Sequence, residues 1–373
     1  MHRSLSGDCH AQAVDGGVRT IEPMTEKWGS RVTLREVAAH IGVDASLVSK
    51  VLNEYKSLNI PDSTRQRVLA AAAELNYRPN IAARGLKLSR TFFIGVVIPD
   101  LTNPAYASMV QGAQREASAA GYDIFLGANS TVASNDMVEE SFARMLMSGR
   151  VDGVLIASGT VPDSAIKSLV QRDSPVVVVN RRVRGINASA SLDDAAGAGL
   201  ATNHLLDLGH RRIAMIGGPQ SVETTHRRVE GFRSVQEPVG DSEPIVSLAD
   251  GWDARSGYNA ARELLRAHPE TTAIFAGSLL SGIGVLRAAH DSGRSVPEDL
   301  SVVALHDAAI AEFTLPPLTT VAMPMEELGS AAMRLVLSLV DGESPSDLVI
   351  ETPSYLVLRD STGPCHTSSS SMS

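Results

Sequence analysis

From Phe92 to Thr362, short apolar runs alternate with amphipathic stretches, and this alternation restricts the fold more than any other feature of the chain. The runs are Phe92–Asp100, Asp123–Asn129, Val151–Ser158, Pro175–Asn180, Arg212–Gly218, Thr272–Ser278 and Leu300–Asp307. Between them, Ala105–Ala120, Asp136–Ser148, Ala196–Leu208 and Gly257–Ala267 carry helical periodicity. A strand buried on both faces reads as a continuous apolar run, and parallel neighbours need a long crossover, usually a helix. The pattern therefore predicts an α/β fold: doubly wound parallel sheets with helices on both faces. The segment is long for a single such sheet, so two similar lobes are expected.

Residues 32–88 follow a different rule, with short helical patterns only. Thr33-Leu34-Arg35-Glu36 is a capping box, and Leu34, Val37, Ala38 and Ile41 form the apolar stripe of a first helix. Gly42 supplies a turn, and Asp44 caps a second helix with Val48, Val51 and Leu52 on its buried side. A third helix starts near Pro61–Asp62 and is expected to bury Val68, Leu69, Ala72 and Leu75. Two short helices joined through a glycine and braced by a third make a small all-α helix-turn-helix headpiece. In that geometry the second helix enters the major groove with its N-terminal residues leading. Ala45, Ser46 and Leu47 would face base edges, and Ser49, Lys50 and Asn53 would follow along the groove or meet phosphates. A three-helix bundle with no DNA role has the same helical pattern, so the pattern alone leaves both readings open.

The net charge of −9 seems unsuited to nucleic acid, but the charge is unevenly spread. Residues 31–90 hold ten Lys and Arg against five Asp and Glu, or +5, which leaves −14 for the rest. A basic module on an acidic body is what a protein needs when one part must approach phosphates. Residues 1–30 and 363–373 are small and polar, without periodicity, and are expected to be disordered. The two cysteines, Cys9 and Cys365, sit in these tails, which excludes a disulfide framework and fits a reducing compartment. No long apolar run suggests a membrane span and no apolar leader opens the chain, so a cytoplasmic, nucleoid-associated protein with no membrane partner is expected.

Val32 to Asn53 (VTLREVAAHIGVDASLVSKVLN) resembles the DNA-binding headpiece of the lactose-repressor (LacI) family. So do Thr64-Arg65, the AAELNYRPN of 72–80, Ala83-Arg84 and Leu86. Further on, IGVVIPDLTNPAY (94–106), DLGHRRIAMIGGP (207–219), VPEDLSVVALHD (296–307) and LPPLTTVAMPMEELG (315–329) resemble the family's effector-sensing core, which is similar to periplasmic binding proteins. The resemblance implies a headpiece at 31–79, a hinge helix at 80–90 and a sensing core at 91–362. It also implies chain crossings near 189, 318 and 344, giving one lobe of 91–188 with 319–343 and another of 189–318 with 344–362. In the hinge, Leu86 would be the apolar wedge opening a minor-groove base step, with Ala83 beside it. With Gly85 and so few residues, the hinge should fold only when paired on DNA. Residues expected to meet DNA are thus Thr33, Ala45, Ser46, Ser49, Lys50, Asn53, Ala83 and Leu86.

Ligands of doubly wound lobes sit at the C-terminal ends of the strands. Asn103 and Tyr106 follow the first apolar run, and Asn180 and Arg181 follow Val176–Val179. By resemblance, Arg228 matches the family's effector-binding arginine and Trp252 an aromatic that stacks on sugars. Departures stand out. The family usually has a small hydroxyl residue at position 44 and Thr at 47, where this chain has Asp44 and Leu47. Where the family has Asn-Asp after a core strand, this chain reads Gly277-Ser278-Leu279, and its paired acids are here His306-Asp307. Leu279 cannot accept a hydrogen bond, and an unpaired buried hydroxyl costs about 1–3 kcal/mol. Three readings follow: a less polar ligand, hydroxyls held elsewhere, or a site that no longer senses. The expected effector residues are Asn103, Tyr106, Asn180, Arg181, Arg228, Trp252, Ser278, Leu279 and His306.

Two rival classes are weaker. Gly282 and Gly284 hint at a dinucleotide loop but lack the third glycine, and no catalytic triad order or metal cluster stands out. His204 and His210 read as capping or surface residues. No enzyme activity, cofactor or metal is expected. A periplasmic sugar-binding protein would share the core but not the headpiece. One headpiece reads a half-site, so the expected partners are double-stranded operator DNA, a second copy forming a homodimer, and a small effector, a sugar or a less polar metabolite.

Overall fold

The computed structural model describes residues 32–52, 58–77, 90–128, 149–157, 159, 161–171, 174–239 and 243–365. The chain divides near residue 80 into two compact units. Asp136–Ser148, Asn53, Ala83, Leu86, the first 31 residues and the tail beyond 365 lie outside the described residues.

The first unit holds α1 (Leu34–Ile41), α2 (Ala45–Leu52) and α3 (Asp62–Glu74). The capping box is present: the Glu36 N–H donates to the Thr33 hydroxyl at 3.3 Å, and the Thr33 N–H to the Glu36 carboxylate at 2.6 Å. Gly42 ends α1 at φ +68°, a left-handed turn that a side chain would strain. Val37, Ala38, Val48, Val51, Val68, Ala71 and Ala72 close a small core. Leu69 corrects the sequence reading: it is exposed, and Ala71 takes the inward place. Positions 68, 71, 72 and 75 share one helix face, and 69 falls off it.

The second unit contains two six-stranded sheets. In chain order the first lobe contributes β1 (Phe93–Ile98), α4 (Pro104–Ala119), β2 (Asp123–Ala128), β3 (Gly153–Ile156), α5 (Asp163–Val170), β4 (Val176–Val179) and β5 (Ser189–Ser191). The second contributes α6 (Asp194–Asp207), β6 (Ile213–Gly217), α7 (Glu223–Gln236), β7 (Ile245–Leu248), α8 (Ala254–Ala267), β8 (Ala273–Ala276), α9 (Leu279–Asp291), β9 (Ser301–Leu305) and β10 (Thr319–Ala322). The chain then returns for α10 (Met325–Val340) and β11 (Leu348–Val349) and ends on β12 (Tyr355–Val357). The first sheet is parallel, ordered β11-β5-β4-β3-β1-β2. The second, β12-β10-β9-β8-β6-β7, is parallel except for its antiparallel edge β12.

The crossings fall later than 189, 318 and 344. Ser189–Ser191 pairs with β4, Thr319–Ala322 pairs with β9, and Leu348–Val349 pairs with β5. Each strand therefore hydrogen-bonds in the sheet it is about to leave, and the chain crosses just after it. The tail also begins later than expected, because the Gly363 N–H bonds to the Ser301 hydroxyl and the Cys365 N–H to the Leu208 carbonyl.

Helices α4 and α10 cross at backbone contact in the first lobe. A Cβ on Gly112 would lie 1.9 Å from the Glu326 carbonyl oxygen, and one on Gly329 would lie 1.8 Å from that of Met109. Gly282 and Gly284 sit inside α9 and serve helix packing, not a phosphate loop: a Cβ on Gly284 would meet the Ala254 carbonyl at 2.1 Å. His210 is buried, not superficial, with Nδ1 at 3.0 Å from the Thr272 hydroxyl and Nε2 at 3.1 Å from the Gly363 carbonyl. His204 is half-buried, 3.0 Å from the Thr362 hydroxyl. No described helix is long and apolar enough to cross a membrane.

Candidate functional site

In the headpiece, Asp44 opens α2 by accepting from the Ser46 N–H at 2.7 Å. Hydrogen bonding from the Ser46 hydroxyl, and then from its N–H, holds the Asp44 carboxyl below its ordinary range. Ser46 and Lys50 stand exposed on α2, Ser49 is half-buried, and Thr33 is exposed at the start of α1. Ala45 and Leu47 pack partly against the headpiece core, so they offer less surface to base edges than the sequence alone suggests.

The core's cleft is a cavity of about 470 Å³, within the common range for small-ligand sites. Its walls come from segments that follow strand C-termini: Pro99–Asp100 after β1, Asn180–Arg182 after β4, Asp250–Asp253 after β7, Ser278 after β8 and His306 after β9. Met109, Met325 and Leu328 supply apolar surface. Asn180 (φ 53°) and His306 (φ 69°) are left-handed non-glycine residues immediately after strands. Such backbone is uncommon and concentrates at functional sites.

Arg228 organises the second-lobe wall. It is 5% exposed. Its Nε donates to Asp194 at 2.7 Å, its Nη1 to the Gly277 carbonyl at 2.7 Å, and its Nη2 faces the His306 Nε2 at 3.1 Å. The guanidinium also lies 4.8 Å from the Trp252 ring centroid, a cation–π distance. Arg227 reaches the same Asp194 carboxylate at 2.6 Å. Burial pushes that carboxyl up, but Arg228 and Arg227 outweigh it and hold it below its ordinary value. Burial, then Arg228, push the His306 ring down to about 3. Burial pushes the Tyr106 hydroxyl up to about 12.

The structure brings Asn103, Tyr106, Asn180, Arg181, Arg228, Trp252, Ser278 and His306 to this one cavity. Several are already engaged. Asn103 caps α4 through the Ala105 N–H, Asn180 accepts from the Leu192 N–H at 3.1 Å, and Arg181 donates to the Val161 carbonyl at 2.7 Å. Ser278 caps α9 and donates to the Trp252 carbonyl at 2.9 Å. Leu279 is the exception: it is 1% exposed, packed in the second lobe's core, and does not line the cavity. As the first residue of α9 it points off the face that Ser278 presents. The missed residues are Asp194, Arg227, Glu223 and Arg182. The Asp193-Asp194 and Arg227-Arg228 doublets hinted at the ion network, although either doublet also reads as ordinary helix-end or surface charge. Across the cleft mouth the Arg182 N–H donates to Glu223 at 2.9 Å, and Arg227 Nη2 lies 3.2 Å from the Asn180 carbonyl.

Comparison with known proteins agrees with this architecture. Residues 33–80 match the bacterial regulatory proteins, lacI family, and residues 202–362 match a periplasmic binding protein-like domain. The ribose operon repressor of Halalkalibacterium halodurans is 33% identical over 330 residues, covering 88% of this chain and 97% of the relative. Among solved structures, the transcriptional regulator CelR–cellobiose complex is 33% identical, with a TM-score of 0.66 over 89% of this chain and 100% of that one. The lac repressor dimer bound to operator and the anti-inducer ONPF is 26% identical, with a TM-score of 0.77 over 90% and 100%. A three-helix headpiece and a two-lobed core in one chain, matched along most of its length, show that the chain belongs to the lacI family of bacterial regulatory proteins and is a DNA-binding transcriptional regulator, not an enzyme.

Proposed function

We propose that this regulator acts as a repressor in the cytoplasm, on nucleoid DNA, with α2 of each headpiece in the major groove of a half-site. Lys50 and Ser46, exposed on the second helix of a headpiece whose other face is closed by its own core, carry this reading. Two copies meet a pseudo-palindrome, because one headpiece spans one half-site. Ile310, Phe313 and Leu315, which stand in solvent on one short segment, are apolar surface that a second copy would cover. By its likeness to the family's hinge, Leu86 wedges a minor-groove step beside Ala83.

The cleft is the effector site. A small molecule that changes how the lobes close shifts the population of dimers whose hinges can pair on DNA. Relatives solved with cellobiose and with ribose support a small polar metabolite as the class. The test is a salt titration of full-length protein on an operator selected from random-sequence DNA and on non-specific DNA. Leu86→Ala should lose discrimination more than overall affinity. Unchanged discrimination would overturn the wedge.

A further inference from the structure

The lobes meet at the cleft mouth through the first two turns of α7. On the second-lobe side stand Glu223 and Arg227, one helical turn apart, with the Arg227 Nη1 donating to the Glu223 carboxylate at 2.6 Å. The first lobe meets both. The Arg182 N–H donates to Glu223 at 2.9 Å, and the Asn180 carbonyl and side-chain oxygens each accept from the Arg227 Nη2 at 3.2 Å. The fit beside them is close: a Cβ on Gly159, which follows β3, would lie 3.0 Å from a methyl of Val222.

Arg227 is not itself a wall of the cavity. Its Nη2 also reaches one oxygen of Asp194 at 2.6 Å, and the other oxygen accepts from Arg228, which does line the cavity. One buried carboxylate therefore holds both the arginine that faces a ligand and the arginine that bridges the lobes. Asn180 is anchored in turn, because its side-chain oxygen accepts from the Leu192 N–H at 3.1 Å, beside the first crossing. A bridge spread over two terminal nitrogens suits a guanidinium, whereas a lysine ammonium is a single point. Hydrogen bonds from a charged donor are stronger than neutral ones, so the bridge favours closed lobes.

We propose that Arg227 is the latch of the cleft, a positioning residue that keeps the two lobes closed without touching what they enclose. This rests on the cleft being the effector site. Asp194 ties the latch to Arg228, so a molecule that draws Arg228 toward itself alters the hold of Arg227 on the same carboxylate. Open and closed lobes interconvert, and the latch sets their ratio. A ligand that needs the closed form binds more weakly, by the closed fraction lost, when the latch is gone.

The experiment is hydrogen–deuterium exchange of the full chain, read at the Arg182 amide, in the parent, Arg227→Met and Arg227→Lys. Lysine keeps a charge beside Asp194 but cannot serve Glu223 and Asn180 together. If Arg227 only neutralises Asp194, lysine should restore both the core's thermal midpoint and the slow exchange. As a latch, Arg227→Lys should recover most of the midpoint and still leave the Arg182 amide exchanging about tenfold faster than in the parent. Parental exchange at Arg182 in Arg227→Lys would overturn the inference, whether or not Arg227→Met folds. Equal acceleration at the Val178 amide, which bonds to the Ala188 carbonyl at 3.0 Å inside the first lobe, would be general loosening and would overturn it too. Operator affinity is titrated in parallel, with and without D-ribose or cellobiose. A freed Arg182 amide with unchanged operator affinity would leave the latch standing and sink the link from cleft to DNA. Unchanged exchange with an operator affinity that still responds to either sugar would sink the latch alone.

Discussion

The Arg228 Nε donates to Asp194 at 2.7 Å, and the carboxylate it meets is wholly buried. Removing one partner of such a pair leaves a charge without its counterion in a place water cannot reach. Arg227 still touches the same carboxylate, so the loss is partial. Arg228→Met should lower stability by on the order of 3 kcal/mol, read as a fall in the thermal midpoint of the core. The same variant should lose its response to any cleft ligand while keeping measurable DNA affinity.

His306 gives the core a pH dependence of definite sign. Its folded value of about 3 lies below the ordinary value of 6.5, so below pH 6.5 the unfolded chain takes up the proton first. The stability contribution is fully present above pH 6.5 and is lost as the pH falls toward 3. Thermal melts from pH 7.5 to 4.5 should show a steeper decline in the parent than in His306→Asn, chosen because Asn tolerates the left-handed backbone at this position. Parallel declines would remove His306 as the source.

Thr33→Ala deletes the hydroxyl half of the capping box on α1. A cap of this kind contributes about 1 kcal/mol. The headpiece should melt earlier by that amount, with the core transition unmoved, in calorimetry of the full chain.

Lys50→Ala removes an exposed cation from α2. If it meets a phosphate, operator and random DNA should both bind more weakly, and the salt dependence should flatten by about one counterion. A loss confined to one operator base pair would instead make Lys50 a base reader.

The parts of the molecule legible in the sequence are those whose energetics are local or periodic. All seven apolar runs became strands, six of them because a parallel strand buried on both faces must be apolar throughout, while β2 is an edge strand with Phe125 and Leu126 exposed. The capping box and Gly42 were readable because cap and turn chemistry act within four residues. Ser189–Ser191 and Leu348–Val349 were not, since strands of three and two residues carry no period to detect. The crossings that the resemblance implied near 189 and 344 fell before these two strands. In the site, Arg228 and Trp252 stood out by resemblance, whereas Asp194 did not. Its importance comes from two arginines more than thirty positions away, a relation only the fold creates. Leu279 was misplaced because the sequence gives its position after a strand but not the direction of its side chain.

The paired glycines of α4 and α10 bear on how a signal could travel. Gly112→Ala or Gly329→Ala would push a methyl into an opposing carbonyl and should cost about 1–3 kcal/mol or more. With the two backbones in contact there is no soft layer of side chains between them to yield. A displacement started at Tyr106, on the same α4, therefore has little slack in which to dissipate. Close backbone packing of this kind should make the two helices move as one stiff piece, and a slack introduced between them by a repacked interface should weaken any response that starts at Tyr106.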